Sequence, residues 1–286
     1  MSETSISANT VKLSVKQPLL SIDNVSVRFA GLSALSDISF QVQVGELFAV
    51  IGPNGAGKTS LFNVLSRVYQ PASGSVTFDG RNLLRLKTHQ IARIGIARSF
   101  QNLGQFPMTP VLDYLLLGRH TRMHSGILLG GLYVGVTRNE ERKNRNYCLH
   151  LLHLLGLERY RDAPLGSLPY GLQKRADLAR ALALEPKLLL LDEPVAGMGI
   201  EETEDIASVI LDIKEQLGVT QILVEHDMAL VMGIADRILV LDFGRIIAQG
   251  IPSEIQANPD VIKAYLGEEF GTQTTNSPIT QADQTR

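Results

Sequence analysis

Apolar and polar positions alternate through Leu20, Ile22, Val25, Val27 and Phe29, and again through Leu35, Ile38, Phe40, Val42 and Val44. That near period of two predicts antiparallel strands joined through Ala30-Gly31-Leu32. Glu46–Ile51, apolar after its glutamate, has the look of a buried strand, and Ser75–Gly80 is a short strand ending in a hairpin. In Lys187–Pro194 the lysine is followed by four leucines that close on Asp192-Glu193-Pro194, the form of a strand buried on both faces of a parallel sheet. Helical patterns cover Thr59–Val68, Val111–Arg122, Arg138–Leu155, Leu172–Leu184 and about Glu201–Glu215. The last of these separates the strand at Lys187 from another at Gln221–Val224, a strand-helix-strand rhythm that predicts parallel pairing. Arg237–Asp242, Gly244 and Arg245–Ala248 read as a hairpin, and Asn258-Pro259 starts a short helix ending near Leu266-Gly267.

Polarity sets the outer limits. Residues 1–18 and 268–286 are polar, predicting a flexible N-terminus and a flexible C-terminal tail around a folded unit at 19–267. Within that unit, about 102–185 reads as a helical lobe. Of the 286 residues, 44% are hydrophobic, enough to fill a core, and the net charge of -2 supplies no basic field for nucleic acid. One cysteine, Cys148, allows no internal disulfide and suits a reducing compartment. Met1–Gln17 resembles neither a signal peptide nor a membrane anchor, and no apolar run approaches the roughly 20 residues that cross a bilayer. The apolar stretch Gly126–Val136 is read as a packed or partner-facing insertion, with packing or loop structure weighed against contact with a membrane partner.

The chemistry starts at Gly52-Pro53-Asn54-Gly55-Ala56-Gly57-Lys58-Thr59, which fits G-x-x-x-x-G-K-S/T and stands between a buried strand and a helix. Its glycines let successive N–H groups turn toward phosphate oxygens, and Lys58 opens a helix whose positive end reinforces the anion site. Thr59 can offer its hydroxyl to Mg²⁺, with Ser60 next in the loop. The paired acids Asp192 and Glu193 at a strand tip would hold Mg²⁺ and polarise the attacking water respectively, or else form a salt-bridged structural pair. His226 follows the Gln221–Val224 strand on the side where ligands sit in such sheets, within reach of a γ-phosphate. Phe29 either stacks on a purine above the loop or fills the core. Gln101 either reaches a Mg²⁺-bound water or lies on the surface. His150 and His153 share a helix face, but no further ligand converges there, so exposed or satisfied histidines are expected.

In this order, the phosphate loop, Gln101, Leu168-Pro169-Tyr170-Gly171-Leu172-Gln173-Lys174-Arg175, the Leu188–Pro194 strand and His226 resemble the ATP-binding subunits of ATP-binding-cassette transporters. The resemblance spans Leu19 to about Gly267. It implies an α/β fold: a P-loop nucleotide-binding cassette with a mainly parallel sheet core, an antiparallel β subdomain and a helical subdomain. It also implies a cofactor pair of ATP and Mg²⁺, held by Phe29, Asn54, Gly55, Ala56, Gly57, Lys58, Thr59 and Ser60, with Thr59, Gln101 and Asp192 on the metal. Glu193 would be the general base, His226 the γ-phosphate sensor, and Gln101 the link from metal and water to the membrane partner. Two subunits share their sites, so Gly171 would act in trans.

Within the family, Arg28–Leu35, Arg98–Asn102, Val224–Met228 and Asn258–Gly267 are similar to the importers of branched-chain or other neutral amino acids. Urea or short-amide importers and a lipopolysaccharide-export ATPase are neighbouring alternatives. The implied partners are integral-membrane permease subunits, a second and non-identical ATP-binding subunit and, indirectly, an external solute-binding protein, with the chain peripheral on the cytoplasmic face of the membrane. A soluble ATPase switch on nucleic acid or the ribosome is disfavoured by the single cassette without a coiled-coil insertion or basic stripe. A non-hydrolysing regulatory subunit is disfavoured by Lys58, Asp192, Glu193 and His226. The family signature is L-S-G-G-Q, whereas Leu168-Pro169-Tyr170-Gly171-Leu172 lacks its serine and one glycine.

Overall fold

A computed structural model describes residues 17–29, 31–99, 106–120 and 135–265, with only the backbone described over 135–138. The alternating runs form β1 (Leu20–Phe29) and β2 (Leu32–Val42), which pair antiparallel. β4 (Ser73–Phe78) pairs with the other edge of β1, and the short β5 (Arg81–Asn82) completes a four-stranded antiparallel sheet ordered β2-β1-β4-β5.

The second sheet has six strands ordered β10-β9-β3-β8-β7-β6: β3 (Leu47–Ile51), β6 (Ile96–Arg98), β7 (Leu188–Asp192), β8 (Thr220–Val224), β9 (Arg237–Asp242) and β10 (Arg245–Gly250). β9, β3, β8, β7 and β6 are mutually parallel, and only the edge strand β10 is antiparallel. Continuous apolarity in β3 and β7 has a direct cause. Leu47, Ala49 and Ile51, with Leu189 and Leu191, enter a core shared with the helices. Phe48, Val50, Leu188 and Leu190 enter a second core against the antiparallel sheet. Successive side chains point to opposite faces of a strand, so burial on both faces needs an unbroken apolar run. Each of these leucines, fully buried, contributes about 1.5–3 kcal/mol.

Helices surround the sheets: α1 (Lys58–Leu65), α2 (Thr88–Ile94), α3 (Val111–Arg119), α4 (Gly135–Leu154), α5 (Tyr170–Leu182), α6 (Ile200–Leu217), α7 (Met228–Ile234) and α8 (Pro252–Gln256), with a further helical segment over 259–265 where Asn258-Pro259 predicts one. α1 stops short of the expected Val68. Ser66 Oγ donates to the Phe62 carbonyl at 2.6 Å and Arg67 takes φ 58°, so the chain turns out of the helix. α5 starts earlier than Leu172: Pro169 stands at the N-cap, and Tyr170 and Gly171 form the first turn.

The helical lobe is tied together by Arg119. Its Nε and Nη2 donate to Asn144 Oδ1 of α4, and its Nη1 to the Ala183 carbonyl and Glu185 beyond α5. The lobe meets the parallel sheet where Arg180 of α5 donates to the Arg98 carbonyl at 3.3 Å. No described helix is long and apolar enough to cross a membrane.

Candidate active site

β3, β8, β7 and β6 are neighbours in the parallel sheet, so their carboxyl ends lie side by side. The phosphate loop follows Ile51, Glu225-His226 follows Val224, Glu193 follows Asp192, and Ser99 follows Arg98. This is the edge at which open α/β sheets hold ligands. The topology therefore gathers four segments that are widely separated in sequence.

The loop depends on its glycines in different ways. Gly57 takes φ 104°, and a Cβ there would fall 2.7 Å from the Ala34 carbonyl oxygen and 2.8 Å from Leu35 Cδ2. The backbone can lie this close to β2 only without a side chain. Gly55 takes φ 78° in open surroundings, so its requirement is conformational alone. Lys58 is 7% exposed and folds back over the loop, its Nζ donating to the carbonyls of Gly52 at 2.5 Å and Pro53 at 3.0 Å. Asn54, Gly55 and Thr59 are exposed, Ala56 is buried, and Ser60 is half-buried. A cavity of about 580 Å³ flanks the loop, lined by Pro53, Asn54, Asp242, Phe243, Asp260 and Lys263 among others. Lys58, Asp192, Glu193 and His226 do not line it.

The two acids differ sharply. Asp192 is 2% exposed, and its Oδ2 receives Arg98 Nη2 at 2.5 Å. The salt-bridged alternative is thus realised for Asp192, with a partner that the sequence reading did not assign. Glu193 is more open, with its side chain 37% exposed and its Oε1 3.9 Å from His226 Nδ1. Its backbone takes φ 47°, a left-handed conformation uncommon outside glycine, while its N–H donates to the Val224 carbonyl at 2.9 Å. This turn carries the chain away from β7 directly after the buried Asp192.

Glu225 is fully buried behind His226 and had no role in the sequence reading. It accepts hydrogen bonds from the backbone N–H of Val195 at 3.0 Å and of His226 at 3.1 Å, and so ties the turn after Glu193 to the turn after β8. Burial pushes its carboxyl above the usual range, against the opposing effect of those N–H donors. An acid flanking His226 at a buried strand end was the available signal.

Phe29 closes β1 with 43% of its surface exposed and meets Tyr69 edge-on at 4.8 Å, which sets aside the alternative of a core phenylalanine. Gln101 lies outside the described residues, as does most of Gly126–Val136. Gly171 is not assembled with the loop in the single chain: the atoms nearest to where its Cβ would stand all belong to Glu202 of α6. Tyr170, 44% exposed, reaches the Ala196 carbonyl through its hydroxyl at 3.5 Å. His153 Nδ1 lies 2.9 Å from Glu158 Oε1, and His150 is exposed.

A glycine loop cradling a lysine at the head of α1, beside an acid pair and a histidine on adjacent parallel strands, defines a P-loop nucleotide-binding cassette. The family model described as ABC transporter matches residues 35–196, and that described as branched-chain amino acid ATP-binding cassette transporter matches residues 245–271. The chain belongs to the ABC transporter family. It is 39% identical to the high-affinity branched-chain amino acid transport ATP-binding protein BraF of Pseudomonas aeruginosa, over 89% of this chain and 100% of the relative. LivG of Escherichia coli, described in the same words, is 38% identical over the same shares. Among solved structures, an ABC transporter cassette in its ADP conformation is similar with TM-score 0.77 and 28% identity, covering 88% of this chain and 99% of that one. A nucleotide-free ABC transporter cassette gives TM-score 0.75 at 28% identity, over 87% and 99%.

Proposed function

We propose that this chain is the ATP-hydrolysing subunit of a membrane importer for branched-chain or other neutral amino acids. The observation that carries the chemistry is the convergence of Lys58, Glu193 and His226 on adjacent strand ends. The match over residues 245–271 supports amino acids as the cargo, ahead of urea, short amides or lipopolysaccharide.

On ATP binding, Lys58 exchanges the Gly52 and Pro53 carbonyls for phosphate oxygens, joined by loop N–H groups from Asn54 to Ser60. Phe29, exposed at the end of β1, stacks on the adenine. Glu193 takes a proton from the attacking water, and His226, 3.9 Å away, donates to the γ-phosphate and keeps Glu193 oriented. The Asp192 carboxylate and the exposed Thr59 hydroxyl offer the oxygen donors that suit a hard cation, which would draw its other ligands from phosphate and water. They are the residues that would hold Mg²⁺, which supplies charge compensation on the phosphates, with Gln101 relaying the state of the site to the permease.

The half-buried first turn of α5, with Tyr170 exposed, faces the nucleotide of a second cassette, so Gly171 works in trans. That cassette is non-identical, because self-pairing would put Pro169 in place of the signature serine in both sites. The pair sits on the cytoplasmic face of the membrane against permease subunits, which receive solute from an external binding protein.

Affinity capture from membranes in mild detergent, with mass spectrometry of what co-purifies, tests the assembly. A polytopic membrane protein and a second cassette are expected, together with ATP turnover stimulated by leucine, isoleucine or valine and its binding protein. Capture of ribosomal or nucleic-acid complexes, or turnover in the assembly that ignores those solutes, would overturn the reading.

A further inference from the structure

Arg98 ends β6 and stands between three parts of the molecule. Its Nη2 is 2.5 Å from Asp192 Oδ2, its Nη1 donates to Asn63 Oδ1 at 2.9 Å and Ser66 Oγ at 3.2 Å of the helix following the phosphate loop, and its carbonyl accepts from Arg180 of the helical lobe. The Asp192 side chain is 1% exposed and that of Arg98 24%, so the pair is screened by little water and the guanidinium supplies the positive charge at the acid. Arg98 is the one charged residue of the three-residue strand, and besides tying β6 to α1 its guanidinium faces the acid at the tip of β7.

We propose that Arg98 is a positioning residue for the divalent cation: it holds Asp192 in place while the metal is absent and must give up that carboxylate when Mg²⁺ enters with ATP. The proposal rests on the reading of Asp192 as the metal-side acid. It makes metal entry a competition for one carboxylate oxygen, and the competitor is anchored at its other nitrogen to α1. A cation entering beside Arg98 also meets the repulsion of a fixed positive charge, so both effects raise the Mg²⁺ concentration that the site needs. Because Arg98 also receives Arg180 of the helical lobe on its carbonyl, release of the guanidinium acts at a joint between that lobe and the site.

The test is nucleotide binding by the full chain, followed with a fluorescent ATP analogue in chelator and across a Mg²⁺ titration, with no turnover measured. In Arg98→Met the half-saturating Mg²⁺ should fall about tenfold, the worth of one charge-assisted hydrogen bond, while affinity in chelator stays within about twofold. Arg98→Lys, which keeps the charge without the fork, should fall by a smaller factor, about threefold, and carries the test if Arg98→Met does not fold. A merely structural Arg98 would lower the melting temperature and leave the Mg²⁺ dependence unmoved, and that result overturns the proposal. Asp192→Asn separates the two levels. If it abolishes the Mg²⁺ dependence while the Arg98 variants match wild type, only the present proposal falls. If it leaves the Mg²⁺ dependence intact, Asp192 is not the metal-side acid and both readings fall.

Discussion

Glu225→Ala removes the acceptor of the Val195 and His226 backbone N–H groups from a position with no solvent exposure. A buried donor left without a partner costs about 1–3 kcal/mol. Val195 is buried and bears that cost in full, whereas His226 is exposed and bears less. With the void left by the side chain, the loss of stability should be about 2–4 kcal/mol, a large share of the ~5–15 kcal/mol that holds a domain folded. Glu225→Gln keeps the volume and one carbonyl oxygen, so it should lose about half as much.

The two variants also separate by pH. Burial holds the Glu225 carboxyl above its ordinary value of about 4.5, so the folded state binds a proton more readily than the unfolded chain. The stability this group contributes is present below pH about 4.5 and is lost as pH rises through the raised folded value. Glutamine has no such loss, so the deficit of Glu225→Gln against wild type should shrink between pH 5 and pH 8. Urea unfolding at several pH values measures both effects. A Glu225→Ala change within about 0.5 kcal/mol, the size of an ordinary surface substitution, or a glutamine deficit that widens with pH, would refute the reasoning.

Gly57→Ala should cost about 2–3 kcal/mol because it combines left-handed strain with collision against Ala34 and Leu35, while Gly55→Ala, with open space around it, should cost about 1 kcal/mol; melting curves in the reverse order would contradict the packing described. Phe29→Tyr should bind ATP as wild type does and Phe29→Ala should lose about 1 kcal/mol, with equal affinities for all three in a binding titration counting against stacking on the purine. Burial pushes the Cys148 thiol up to about 11, so it should resist a thiol reagent at pH 7.5 until denaturant is added, and full labelling of the folded protein would show that α4 opens readily.

Most of the sheet was legible because burial leaves a period in the sequence. β1 and β2 bury one face and alternate, whereas β7 buries both and reads as an apolar run. α2 left little trace because only Ile91 of its residues is buried, too few to show a helical period. α7 and α8 were missed for a related reason: they are short and announce themselves mainly by Asp227 at one N-cap and Pro252 at the other N-terminus.

The phosphate loop and the acids at strand ends were readable because their chemistry requires particular residues next to one another. Arg98 and Glu225 were not. Each acts on a residue of another segment, Arg98 on Asp192 of β7 and Glu225 on Val195 in the turn after β7, and those meetings depend on the order β8-β7-β6, which no local pattern encodes. Arg98 had one available signal, a basic residue closing a short apolar strand in a chain whose other strand tip carries two acids.

The most direct test of the account is ATP turnover by Glu193→Gln in the complete membrane assembly, with nucleotide binding measured on the same preparation. Glu193 is the open acid facing His226, and its loss should leave ATP binding intact while slowing turnover by about 10²–10⁴, the usual worth of a general base. Turnover within about twofold of wild type would contradict the account.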